Sequence, residues 1–243
     1  MRDAKGFTLV ELIVAIGVAI GLLAAVYLAI NSTQRHSSSI ERKVTAQQDV
    51  KPALDIMALE IGMASYNPTF ASNFWITPTG TFCGSVTTNQ TYRGIQEAAA
   101  NSIAIEMDIT NATGTATDGN GSIDGPNELI RYDYDTANQR LTRATSCGGG
   151  GQPFLGDTVA GQKTVRVVNS TLGIPIFRYY DGTGAEIFVG TSSESSKLPT
   201  RIPDIRRIEI VLAVETENND VNTGQPRRLI YSTSVIPRNH AIQ

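Results

Sequence analysis

The sequence predicts an α+β chain, with a long amino-terminal α-helix whose first half spans a membrane and whose second half packs on an antiparallel β-sheet head. Three observations predict it. A 24-residue apolar run, Phe7–Ile30, follows a six-residue charged leader. Apolar residues then recur every three or four positions as far as Ile61. Beyond SYNPTFASNF that period gives way to short stretches alternating apolar and polar, the signature of half-buried strands.

The first element is the span. Phe7–Ile30 is long enough to cross a bilayer, and it is too long for the core of an ordinary secretory signal. The residues after it, NSTQRHSSSIERK, contain no small-residue cleavage site. Arg2 and Lys5 before the run favour a cytoplasmic amino terminus, although Arg35, Arg42 and Lys43 on the far side weaken that bias. Small residues punctuate the run, and Gly17 and Gly21 form a G-x-x-x-G step that permits close helix approach. One letter breaks the pattern. Glu11 places a carboxylate in hydrocarbon, which costs roughly 2.5–3.5 kcal/mol at a helix centre. Such a group is expected to have a partner and a role.

The second element continues the helix outside the membrane. Ile40, Val44, Gln47, Val50, Leu54, Met57 and Ile61 form a stripe expected to face the sheet, with a bend expected at Val50–Pro52. The chain therefore divides into a leader (1–6), a transmembrane helix (7–30), its amphipathic continuation (31–65) and a β-rich head (66–243). Strands are expected at 102–109, 128–134, 140–143, 164–168, 176–180, 186–189, 205–214 and 228–235. In RRIEIVLAVET, Ile208, Ile210, Leu212 and Val214 alternate; in RRLIYSTSVIP, Leu229, Tyr231, Thr233 and Val235 do likewise. These two read as an antiparallel hairpin joined by the polar stretch ETENNDVNTGQP.

The junction MRDAKG-FTLVE closely resembles the class III signal of type IV pilins and pseudopilins. The resemblance implies cleavage after Gly6 by a membrane-embedded prepilin peptidase, methylation of the new amino terminus at Phe7, and an assembly role for Glu11. After the cut the Phe7 amine, with a reference pKa near 8, is mostly cationic at neutral pH. Phe7 and Glu11 stand four apart, so on a helix they share a face, and the carboxylate pairs with this amine or a neighbour's. A buried polar pair of that kind fixes the register between helices. The long head, IPDIRRIEIVLAVET and IYSTSVIPRN resemble the PilW-like minor pilins, with the J-type minor pseudopilins of type II secretion a close second. The function implied is structural: a non-enzymatic subunit that primes or caps a type IV pilus or pseudopilus. Its implied partners are the prepilin peptidase, other minor and major pilin subunits, an inner-membrane assembly platform and lipid. The implied location is the bacterial inner membrane with the head in the periplasm, and afterwards the filament tip.

Composition narrows the other classes. With 41% hydrophobic residues, 18% charged residues and a net charge of -3, the chain is globular and no nucleic-acid partner is expected. Cys83 and Cys147 belong to no CxxC pair, so a zinc site is not expected. In an oxidising compartment they read as one disulfide closing a loop of about 65 residues; in the cytoplasm they read as two thiols. The extracytoplasmic head implied by the resemblance favours the disulfide.

His36 and His240 are the only histidines, and no nucleophile elbow, zinc-protease or phosphate-loop motif is present. The loop TDGNGSIDGPNE spaces Asp118, Asn120, Ser122, Asp124 and Glu128 so as to suggest calcium. It lacks the glycine and the final acid of an EF-hand, and a solvated turn is the favoured reading, so no cofactor is expected. A ligand-binding tip would need exposed aromatic or basic loop residues, for which Trp75 and Tyr92 are candidates. A membrane-anchored sensor would keep its leader.

Overall fold

The computed structural model describes residues 6, 8–72, 75, 92–115, 118–145, 151–156, 165–187, 201–220 and 223–241. One helix, α1 (Leu9–Gly62), runs for 54 residues, about 81 Å at 1.5 Å per residue. It continues through Pro52 as a single element. Its first half is apolar all round and bare, and none of its most apolar stretch is buried against the head. Gly17 and Gly21 face open space.

The head begins at Ser39. From there Ala46, Val50, Ala53, Leu54, Met57 and Ile61 are buried. At 100° per residue they cluster on one side, and three of the seven buried positions are the small residues Ser39 and Ala46 and Ala53. The expected stripe needs correcting at its start. Ile40 is 62% exposed and Val44 also faces out, away from the buried side of Val50 and Met57. Ile56 and Leu59 (66% exposed) also point away from the core. Small residues line the inner face because they let strands approach the helix closely, so residue size misleads there.

The expected single sheet is two antiparallel sheets. The first is a five-stranded meander in chain order: β1 (Ile95–Ala98), β2 (Ser102–Glu106), β3 (Leu129–Asp135), β4 (Arg140–Ala144) and β5 (Gln152–Leu155). The second is built on the long strand β8 (Arg207–Asn219). On one margin β8 pairs with β6 (Val165–Val167) and then β7 (Phe177–Tyr180); on the other it pairs with β9 (Pro226–Val235). The short helix α2 (Asn169–Leu172) sits between β6 and β7. The hairpin expected from the two alternating stretches is present, with Leu212 opposite Tyr231 and Val214 opposite Leu229. Its strands run on into the polar connection, which shortens to residues 220–225 and closes through Asp220 N–H to the Gln225 carbonyl at 2.8 Å.

The expected strand at 102–109 stops at Glu106, one more ladder bond follows at Met107, and the chain leaves the ladder at Asp108. Met107 N–H bonds to the Glu128 carbonyl and Asp108 N–H to that of Tyr66. The strand expected at 186–189 is reduced to a Tyr180–Glu186 bridge, with residues 188–189 outside those described. The two sheets are laced together: the Ile176 and Phe177 amides both donate to the Ala100 carbonyl, and Tyr134 Oη donates to that of Val167 at 2.8 Å. Tyr132, Ile103, Phe177, Tyr179, Ile208 and Ile210 fill the core with the inner face of α1.

Candidate assembly site at the amino terminus

Four amide groups at the start of any helix lack intrahelical partners. Here the chain answers them with a capping box. Thr8 is the N-cap in an extended conformation, and the Glu11 N–H donates to Thr8 Oγ1 at 3.3 Å. In return, the Thr8 N–H and hydroxyl both donate to Glu11 Oε2, at 2.9 and 3.0 Å. The same carboxylate sits in the first turn, where the helix dipole favours negative charge.

In the uncut chain the partner of Glu11 is Thr8. The described helix begins at Leu9 with Thr8 as its cap. The signal was present in the sequence, because T-x-x-E ahead of an apolar run spells a capping box. Gly6 is exposed, with open space around it. Phe7, Cys83 and Cys147 lie outside the described residues.

The other candidate residues are dispersed. His36 is exposed on α1 and His240 is buried at the opposite end of the chain. His240 Nε2 lies 2.8 Å from the Ile202 carbonyl, and Nδ1 lies 3.0 Å from both the Arg93 carbonyl and Ser65 Oγ. Burial pulls its pKa below the ordinary histidine value, against the opposing pull of the Ile202 and Arg93 carbonyls.

In the acidic loop, Asn120 Nδ2 donates to Asp124 Oδ1 at 3.1 Å. Glu128 is turned inward, where its oxygens accept the amides of Ile109, Thr110, Asp124 and Gly125. Asp108, unmarked in the sequence reading, accepts those of Asn120 and Gly121. Among the described residues no group of three His, Cys, Asp or Glu is arranged to hold a metal ion. Trp75 is buried, and Tyr92 is partly buried against the core.

Residues 1–26 match the family model described as the prokaryotic N-terminal methylation motif. No curated protein matches the chain. Among solved structures, a type IV-like pilin from Thermus thermophilus overlaps it at 11% identity, covering 80% of this chain and 96% of that one with a TM-score of 0.44. An overlap that loose carries no argument. The methylation motif thus stands at the head of a bare apolar helix that packs further on against antiparallel sheets.

Proposed function

We propose that the chain is a minor pilin or pseudopilin that primes or caps a filament. It is made as a prepilin, cut between Gly6 and Phe7, methylated at Phe7 and held in the inner membrane by residues 7–30 with its head in the periplasm. The observation that carries this reading is the methylation motif placed on a helix whose apolar half is buried by nothing in its own head. A helix apolar on every side needs lipid or other helices around it. A membrane supplies the first environment and a bundle of like helices the second. The outward residues Ile40, Val44, Ile56 and Leu59 extend the packing surface up the head.

Glu11 has a distinct role at each stage. In the precursor Thr8 satisfies its carboxylate, which eases entry into the bilayer. Cleavage creates a cationic amine directly before Thr8, and Glu11 then exchanges its cap for that amine on a neighbouring subunit. The PilW-like pilus role and the J-type role in type II secretion use these parts in the same way. The partners are the prepilin peptidase, other minor and major subunits, the assembly platform and lipid. In this reading the head is structural and takes no cofactor; the acids Asp108 and Glu128 are engaged by backbone amides.

Glu11→Ala is expected to insert and be cleaved normally but to be depleted at least tenfold from sheared filaments. Mass spectrometry of the mature subunit should find methylated phenylalanine at its start. Undiminished incorporation of the variant, or an active subunit that keeps residues 1–6, overturns the reading.

A further inference from the structure

Among the described residues, the second sheet has one long margin with no strand beside it. β8 directs the backbone groups of Val211 and Ala213 toward the β6–β7 side: Val211 N–H bonds to the Ile176 carbonyl and Val168 N–H to that of Ala213. The intervening residues Ile208, Ile210, Leu212 and Val214 therefore turn their backbone groups toward β9, opposite Val235, Thr233, Tyr231 and Leu229. It follows that Arg228, Ile230, Ser232 and Ser234 carry the N–H and C=O groups of β9 that point away from the sheet. Their side chains are exposed as well, with Ile230 55% exposed.

Natural sheets guard such margins with charge, proline or a bulge. Here the guards stand only at the ends: Pro226, Arg227 and Arg228 precede the margin and Pro237 follows it. The eight residues between, LIYSTSVI, contain no charge and no proline. Leu229, Tyr231 and Thr233 are only half buried, so α1 does not close over the margin. Arg227 and Arg228 are themselves paired with Asp220 and Glu215, which leaves the strip without net charge.

We infer that the free margin of β9 is a docking edge for an extended segment of a neighbouring subunit, which adds to the second sheet as a further strand. A row of outward amides and carbonyls is answered in full only by another backbone in β conformation. The window of eight residues between the guards sets the length of the segment. Its side chains beside Ile230 and Ile236 (61% exposed) are apolar, and the rest are uncharged. β9 rises beside α1 from the level of Ser39, which bonds to Arg227, to the level of Gly62, which lies against Val235. The added strand thus lies along the head where a laterally packed neighbour stands. The inference rests on the assembly reading and adds to it a backbone contact independent of Glu11.

The test places a photo-crosslinking amino acid at Ile230, Ser232 or Ser234 in turn, in the full chain in cells making filaments. Cross-links are expected to one segment of one subunit, moving two residues along it for each two-residue step on β9. Ser232→Pro removes an outward N–H without touching the β8 ladder, and it should abolish the cross-links while leaving the melting temperature within about 3 °C. Should that variant fold poorly, Ile230→Lys serves the same end by placing a charge on the margin. Cross-links without register, none at all, or a pattern indifferent to both variants overturns the strand pairing. If the chain is nevertheless found in sheared filaments, the assembly reading stands and only the pairing falls. If it is absent from filaments and unlinked, both fall.

Discussion

At the scale of single residues, the head depends on side chains that replace missing backbone partners. Asn169 is the sharpest case. Between β7 and β6 the margin of β8 has no strand beside Val211 and Ala213, and the buried Asn169 amide takes that place. Its Nδ2 donates to the Val211 carbonyl at 2.8 Å, and its Oδ1 accepts the Ala213 N–H at 2.8 Å. Asn169→Ala leaves both backbone groups buried without these bonds, at roughly 1–3 kcal/mol each. The expected loss is about 3 kcal/mol, read as a lower denaturant midpoint at unchanged slope. A loss under about 1 kcal/mol would mean that water or a shifted strand replaces the amide. Glu60 works by the same logic on the other side of the core, where it accepts the Tyr132 hydroxyl and a two-pronged contact from Arg143, tying α1 to the first sheet.

At the scale of elements, the carboxyl end of the chain is pinned by one titratable ring. His240 joins the turn after α1 (Ser65), the approach to β1 (Arg93) and the 3-10 turn at Ile202–Asp204. Its nearest charges are Arg206 and Arg93, both of which disfavour the imidazolium. Because its folded pKa lies below the unfolded value, the unfolded chain binds the proton more readily. Its contribution is therefore complete above about pH 6.5 and is lost as the pH falls below that value. Stability should decline between about pH 6.5 and 5, before most carboxylates titrate, and His240→Gln should flatten that limb. An unchanged limb in the variant would assign the decline elsewhere.

The elements differed in how far the sequence disclosed them. α1 and the β8–β9 hairpin were legible because periods of 3.6 and 2 persist over many residues. β1 and β5 were not: IQEA and QPFL are short, and β1 is buried along its whole length, so alternation has nothing to mark. At the amino terminus the methylation motif could be read from the order of its residues. The cap of Thr8 on Glu11 was spelled in the same letters, as T-x-x-E ahead of an apolar run. Asp108 and Asn169 gave no signal, because their partners are amides brought near only by the tertiary fold.

At the scale of the whole molecule, the membrane span and the head are joined by a stretch that neither environment supports. Ile30 ends the apolar run and Ser39 is the first buried residue of the head. Between them lie NSTQRHSS, helical and almost wholly exposed. Asn, Ser and Thr are poor helix formers because their side chains compete for backbone hydrogen bonds, as Thr33 Oγ1 does by donating to the Ala29 carbonyl at 2.9 Å. A helical stretch this short holds because it is continuous with the apolar half of α1 on one side and the half packed in the core on the other. Ser39 bonds to Asp220 and Arg42 to the Asn219 carbonyl, so the hairpin tip clamps the helix where the head begins. Amides of 31–37 should therefore exchange with deuterium within seconds in micelles, while those of 50–61, packed in the core, stay protected for hours. Replacing Ser32, Ser37 and Ser38 with alanine should slow exchange across this neck without altering the head. Equal protection along 31–61 would mean that span and head form a single rigid rod. The expected gradient makes the neck a joint, which lets a head already docked sideways on a neighbour stay in place while its span moves from lipid into the bundle.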